Sequence, residues 1–333
     1  MLSSYGVNIA VLALTFIASI FIARILGPDG RGVYAWLMTI HGILGAIILL
    51  GFDTVLRKQS GTNIKNQSTW FYTASISGVF VLSVLFIPLY YILIQTDLGS
   101  RYPQYLLFVI GMVAVSHVMA CSYMAVAAQN KVWLYNIMSV LPRLIGFCVV
   151  MLTVWFGVLT VKSTVLAYLL PNIVVVVGLL YFFHHKLGFK FLFKPKLLKE
   201  NWKFMGASYL AFLALLMLLK VDQVLLGLYG LTESLGHYAV AVSLIDALQL
   251  GPMLVGTFLL PRLQTMETSN RWGFLIKIWG LLALIMLCVA AVGIFLAPWA
   301  VPLLFGVAYV PSVPLLQVLL ALPDLLYLAV PLD

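Results

Sequence analysis

Ten times the sequence repeats one pattern, an apolar run closed by charges, Gly/Pro turns or polar clusters. The runs cover residues 5–26, 33–56, 70–94, 104–128, 133–159, 163–183, 204–229, 235–260, 272–297 and 313–330. Each is close to the ~20 apolar residues that a helix needs to cross a bilayer. Composition agrees, with 63% of residues hydrophobic and 9% charged, where a soluble domain carries about 25% charged residues. So few charges cannot clothe a soluble surface, so lipid is the solvent for most of the chain. Soluble enzymes and nucleic-acid binders are thereby excluded. The stretch 298–314, with Pro298, Pro302, Pro311 and Pro314, is too proline-rich to predict a regular span.

The cations give an orientation. Of the 19 Lys+Arg, thirteen fall in or toward even-numbered connections, four in or toward odd-numbered ones, and two, Arg143 and Lys220, deep inside spans. The positive-inside rule then places the even connections and the N-terminus in the cytoplasm. The long connection, 184–203, interleaves six lysines with residues such as Phe189, Phe191 and Phe193. It is expected to lie in the membrane interface, aromatic side down, with its ammonium groups toward anionic lipid. The first run lacks a basic n-region and an A-x-A cleavage site, so it is read as a retained helix. Cys121, Cys148 and Cys288 lie inside apolar runs without metal-ligand spacing and read as small core residues.

An internal repeat crosses the long connection. Gly32-Val33-Tyr34-Ala35 recurs 204 residues later as Gly236-His237-Tyr238-Ala239, each after a turn and each opening an even-numbered span. An even number of spans separates the copies, so the repeat is parallel, about an axis along the membrane normal. The expected fold is therefore an all-α polytopic membrane protein of about ten transmembrane helices in two parallel-repeat lobes. Residues 1–183 form a six-helix lobe, 184–203 a cytoplasmic basic linker, and 204–333 an incomplete lobe of about four helices.

The order of several short motifs resembles the bacterial oligosaccharide flippase family, the polysaccharide-exporting branch of the multidrug/oligosaccharidyl-lipid/polysaccharide exporter superfamily. They are 23–34 (Ala-Arg-Ile-Leu-Gly-Pro-Asp-Gly-Arg-Gly-Val-Tyr), 221–227 (Val-Asp-Gln-Val-Leu-Leu-Gly), 235–241, 261–263 (Pro-Arg-Leu) and 302–306 (Pro-Leu-Leu-Phe-Gly). The resemblance implies movement of undecaprenyl-pyrophosphate-linked oligosaccharide from the cytoplasmic to the outer leaflet of a bacterial inner membrane. It also implies surface-polysaccharide polymerase or ligase machinery as partners. Members have twelve or fourteen helices, so the second lobe is expected to be truncated, the chain being either a fragment or truncated product or one that needs a partner to close its cleft.

The sequence has no P-loop, H-E-x-x-H or G-x-S-x-G run, so neither an enzyme nor a cofactor is expected. A pyrophosphate-bearing substrate requires fixed cations in a hydrated cleft. Arg143 lies roughly 5 Å and Lys220 roughly 6 Å from the midpoints of their spans, at ~1.5 Å per residue. Each is a candidate phosphate contact or half of a structural ion pair. Arg24, His117 and Gln249 complete the candidate binding set, although His117 could equally bond a neighbouring helix and Arg24 could pair with Asp29. Asp246, in a stripe with Ser243 and Gln249, is a coupling candidate or a buried hydrogen-bonded carboxyl. Its stripe matches Thr39, Gly42 and Gly45 across the repeat, where tight helix packing explains the glycines as well. Asp222 is a second coupling candidate, but it sits about 200° around the helix from Lys220, so both cannot face one cleft. Asp29 and Arg31 in the first turn read as gate residues. Two deep cations meet two deep acids, so charge alone barely separates a flippase from a cation-coupled drug antiporter or a non-transporting scaffold subunit.

Overall fold

Gly27-Pro28 sets the first element of the architecture. In the computed structural model, which describes residues 2–52, 55, 64–129, 131–248 and 268–321, helix α1 (Leu2–Leu49) is broken at Gly27, whose φ is 67°. Glycine reaches that conformation without strain, and Pro28, with φ fixed and no N–H to satisfy, opens the second half. The halves fold back on each other. Arg31 reaches Ser19, twelve residues earlier, at 3.0 Å, where a straight helix would hold them about 18 Å apart.

Eight further α-helices follow among the described residues: α2 (Ile64–Ile94), α3 (Asp97–Arg101), α4 (Pro103–Ala128), α5 (Val132–Trp155), α6 (Val161–Lys186), α7 (Lys196–Leu228), α8 (Thr232–Leu248) and α9 (Thr268–Phe305). A 3₁₀ turn, Val307–Tyr309, and α10 (Ser312–Ala321) close the described part. Six helical segments are long and apolar enough to cross a membrane, and the first of them contains the Gly27 break. Large apolar side chains such as Ile87, Leu218 and Phe295 are exposed, as lipid solvation requires. The chain is an all-α polytopic membrane protein.

Three boundaries differ from the sequence expectation. The second span ends at Leu49 rather than near residue 56, because Leu50 and Gly51 both take positive φ. There the Gly51 backbone lies against α7, and a Cβ on it would stand 2.6 Å from the Met205 carbonyl oxygen. The 184–203 connection is helical from Lys196, and its Leu187 and Phe189 are buried, Phe189 against Phe71 and Phe183. Only part of that connection, including Phe191, Phe193, Lys190 and Lys194, is exposed. Finally, α9 continues through Pro298 and Pro302 to Phe305. The distal parts of the eighth and tenth spans lie outside the described residues. Of the cysteines, only Cys121 is buried; Cys148 and Cys288 are exposed.

Proline inside a helix strips the carbonyl four residues back of its donor, a costly loss in lipid. Neighbouring helices restore it at Pro142 and Pro298. The Tyr123 hydroxyl of α4 donates to the Met138 carbonyl, four before Pro142, at 2.9 Å, and Gln317 Nε2 of α10 donates to the Ile294 carbonyl, four before Pro298, at 3.1 Å. Gln317→Leu should therefore lower stability by about 1–3 kcal/mol. In a Pro298→Ala background the returned N–H takes over, and Gln317→Leu should cost much less. Thermal unfolding of the four proteins in detergent measures this coupling, and an equal cost in both backgrounds would disprove it.

The two repeat turns meet at one end of the bundle. A Cβ on Gly32 would lie 1.8 Å from the Thr232 carbonyl oxygen, and one on Gly236 would lie 1.9 Å from that of Pro28. Thr232 is the residue 204 after Pro28, so each turn packs on the other in the same way. Only glycine permits such backbone contact. The Thr232 hydroxyl adds a 2.8 Å hydrogen bond to Asp29.

Candidate functional site

Inside this crossing lies a cavity of about 590 Å³, lined by both halves of α1 and by α4, α5, α6, α7 and α8. Its size falls within the ~300–1,000 Å³ of small-ligand sites. Its polar lining includes Thr15, Ser19, Arg31, Thr39, Tyr123, Arg143, Asn172, Lys220, Gln223, Ser243 and Asp246.

The two arginines hold neutral groups. Arg143 folds back on α5, its Nη1 donating to the Ser139 carbonyl at 2.6 Å. Arg31 is 7% exposed, and its Nη2 donates to Ser19 and to Ser243, each at 3.0 Å. Its guanidinium carbon lies 5.6 Å from the Tyr34 ring centroid, a cation–π contact, while its Nε has no partner. Lys220 and Asp246 face the same space, with no N···O pair within 4.0 Å between them. On the wall beyond, His41 Nε2 lies 2.9 Å from the Ser116 hydroxyl and its ring packs edge-on to Tyr168.

Of the residues singled out by sequence, Arg143, Lys220, Asp246 and Arg31 come together in the cavity. Arg24 does not line it: exposed at the Gly27 end, it donates to the carbonyls of Leu303 and Leu304, the last turn of α9. Cationic caps of this kind satisfy helix C-terminal carbonyls. His117 is likewise outside, buried between α4 and α2 with Nε2 3.1 Å from the Ala74 carbonyl, in space left by Gly78. Asp222 turns away from Lys220, accepting from the Tyr238 hydroxyl and, at 2.7 Å, from the Gln223 amide. Asp29 sits at the turn crossing, and Gln249 lies outside the described residues. Gly42 and Gly45 have open space where a Cβ would stand, so close packing does not account for them.

Sequence reasoning missed Arg31 as a cavity cation and His41 altogether. The signal for Arg31 lay in Gly27-Pro28: the helix restarts at Pro28, so Arg31 belongs to its first turn and points inward rather than sitting in a loop.

Apolar helices around a cavity whose described lining carries three cations and one acid define a polytopic membrane protein with an internal polar site. The sequence comparison sharpens this class: the chain belongs to the polysaccharide biosynthesis protein family, which it matches over residues 1–267. A solved structure, protein A, has a similar fold, with a TM-score of 0.61 and 13% sequence identity, over 90% of this chain and 74% of that one. Comparison with curated proteins gives no match.

Proposed function

We propose that the protein translocates an undecaprenyl-pyrophosphate-linked oligosaccharide across the bacterial inner membrane, by rocking of two lobes about the cavity. The reading builds on family membership and on the resemblance of the turn and span motifs. One observation carries it: the described lining holds three cations, Arg31, Arg143 and Lys220, against one acid, Asp246. Sequence counting balanced two cations with two acids. Withdrawal of Asp222 and addition of Arg31 break that tie in favour of an anionic solute.

In this reading the N-terminus and the lysine-bearing 187–195 segment face the cytoplasm, where the exposed lysines meet anionic headgroups. The Gly32–Gly236 crossing then closes the periplasmic side, so the cavity belongs to a state shut toward the outside. Asp246, the one acid in the described lining, is the group available for coupling to a gradient.

The test is translocation in proteoliposomes of a labelled undecaprenyl-pyrophosphate glycan, read by an impermeant enzyme that modifies the glycan on the outer face only. Protein-dependent appearance of modified glycan is expected, with undecaprenyl-free sugar left untouched. Appearance no faster than in protein-free vesicles, with the substrate bound normally, would remove the transport reading.

A further inference from the structure

The 204-residue repeat builds one inter-lobe polar contact twice, in two chemistries. On one side Thr39 of the first lobe donates to Gln223 of the second, hydroxyl to amide oxygen, at 2.7 Å, and both are buried. Their repeat counterparts are Ser243 and Ser19. Those two do not bond each other directly. Arg31 stands between them, its Nη2 donating to both at 3.0 Å. The counterpart of Arg31 is Leu235, fully buried. Both contacts lie just inside the Gly32–Gly236 crossing, one as a neutral pair and the other through an inserted cation.

The two differ in what a ligand does to them. A neutral hydroxyl–amide bond offers an anion no charge to bind. Arg31 gives its donors to uncharged oxygens, has no ion pair with a described acid, and keeps a buried Nε without a partner. Guanidinium bonds to phosphate oxygens add the attraction of opposite charges, which a serine hydroxyl cannot offer, and are often bidentate, engaging two N–H groups in parallel. A phosphate in the cavity therefore competes for the group that ties the lobes.

We propose that Arg31 is an exchangeable clasp: a phosphate-bearing ligand draws its guanidinium off Ser19 and Ser243, freeing the lobes on that side of the crossing, while Thr39–Gln223 remains as the pivot. The proposal rests on the reading of the cavity as a phosphate site and adds how occupancy reaches the closed end. It makes opening depend on ligand charge rather than on ligand size, since a ligand with equal affinity for both states would shift nothing.

Cysteines at Asp29 and Thr232, whose side chains bond across the crossing at 2.8 Å, report closure through their oxidative cross-linking rate. The full chain, with Cys121, Cys148 and Cys288 replaced by Ala, is placed in vesicles with undecaprenyl pyrophosphate or with undecaprenol, and binding of the labelled pyrophosphate is measured in parallel. Undecaprenyl pyrophosphate should slow cross-linking about tenfold, the equivalent of one charge-assisted bond exchanged, and undecaprenol should not. Arg31→Gln should abolish the response and Thr39→Val should keep it. If Arg31→Gln fails to fold, the Ser19→Ala/Ser243→Ala pair, which leaves the cation but removes what it holds, should cross-link slowly without ligand and stay unresponsive. Pyrophosphate that binds without slowing cross-linking, or slows it equally in Arg31→Gln, overturns the clasp and spares the phosphate site. Absence of pyrophosphate binding to the parent chain overturns both.

Discussion

Replacing Gly32 or Gly236 by alanine should be among the most damaging single-methyl changes at the described glycines. The added carbon would stand 1.8 Å from the Thr232 carbonyl oxygen in one case and 1.9 Å from that of Pro28 in the other. Both obstacles are backbone, so no side-chain rotation relieves them, and the two turns must separate. Overpacking costs about 1–3 kcal/mol where side chains can yield, and here the cost should reach or exceed the upper end. Asp29–Thr232 and the Arg31 bonds to Ser19 and Ser243 should loosen with it. Gly42→Ala and Gly45→Ala, at positions with open space around a Cβ, are the matched controls and should change the unfolding temperature little. Thermal unfolding in detergent decides the matter. Equal behaviour of the four alanine variants would show that the crossing is not load-carrying.

The second large effect concerns the cations. Loss of a charge-assisted hydrogen bond costs roughly 1.5–3 kcal/mol, about ten- to a hundredfold in affinity. Arg143→Gln and Lys220→Gln should each weaken undecaprenyl pyrophosphate binding by that range, and the double variant by more, since both side chains face one cavity. Arg143→Lys should retain more binding than Arg143→Gln, because charge persists while the fork geometry is lost. Added salt should weaken the parent more than the double variant. Unchanged affinity in the double variant, with normal folding, would move the anion site elsewhere.

The helices were legible in the sequence because lipid imposes a simple rule: long apolar runs with charges between them. The same rule failed at α9, where Pro298 and Pro302 argued for a break. The helix persists because Gln317, about twenty residues on, supplies the missing donor, and Arg24 caps the end. No local pattern announces a donor held on another helix. Periodicity speaks where one helix is enough: the 200° between Lys220 and Asp222 implies that both cannot face one cavity, and Lys220 is the one in the lining. It could not say which, because that depends on Tyr238 of α8 accepting the task of bonding Asp222. Arg24 and His117 carried chemistry-bearing side chains at plausible depths, yet their partners are backbone carbonyls of α9 and α2. A polar residue in a span signals a need for a partner and leaves open whether the partner is substrate or protein.

The crossing of the two turns also has a lineage written into its geometry. Position 32 touches the residue equivalent to 28 in the other copy, and that copy's equivalent of 32 touches position 28. Reciprocity of this form is what two identical subunits make about a two-fold axis, an isologous interface. Joined in one polypeptide, the copies are free to diverge everywhere except where they touch. Arg31 opposite Leu235 shows divergence one residue from the contact, whereas glycine stands at both 32 and 236. A charged side chain with an apolar counterpart stands immediately beside a contact that the geometry keeps symmetric.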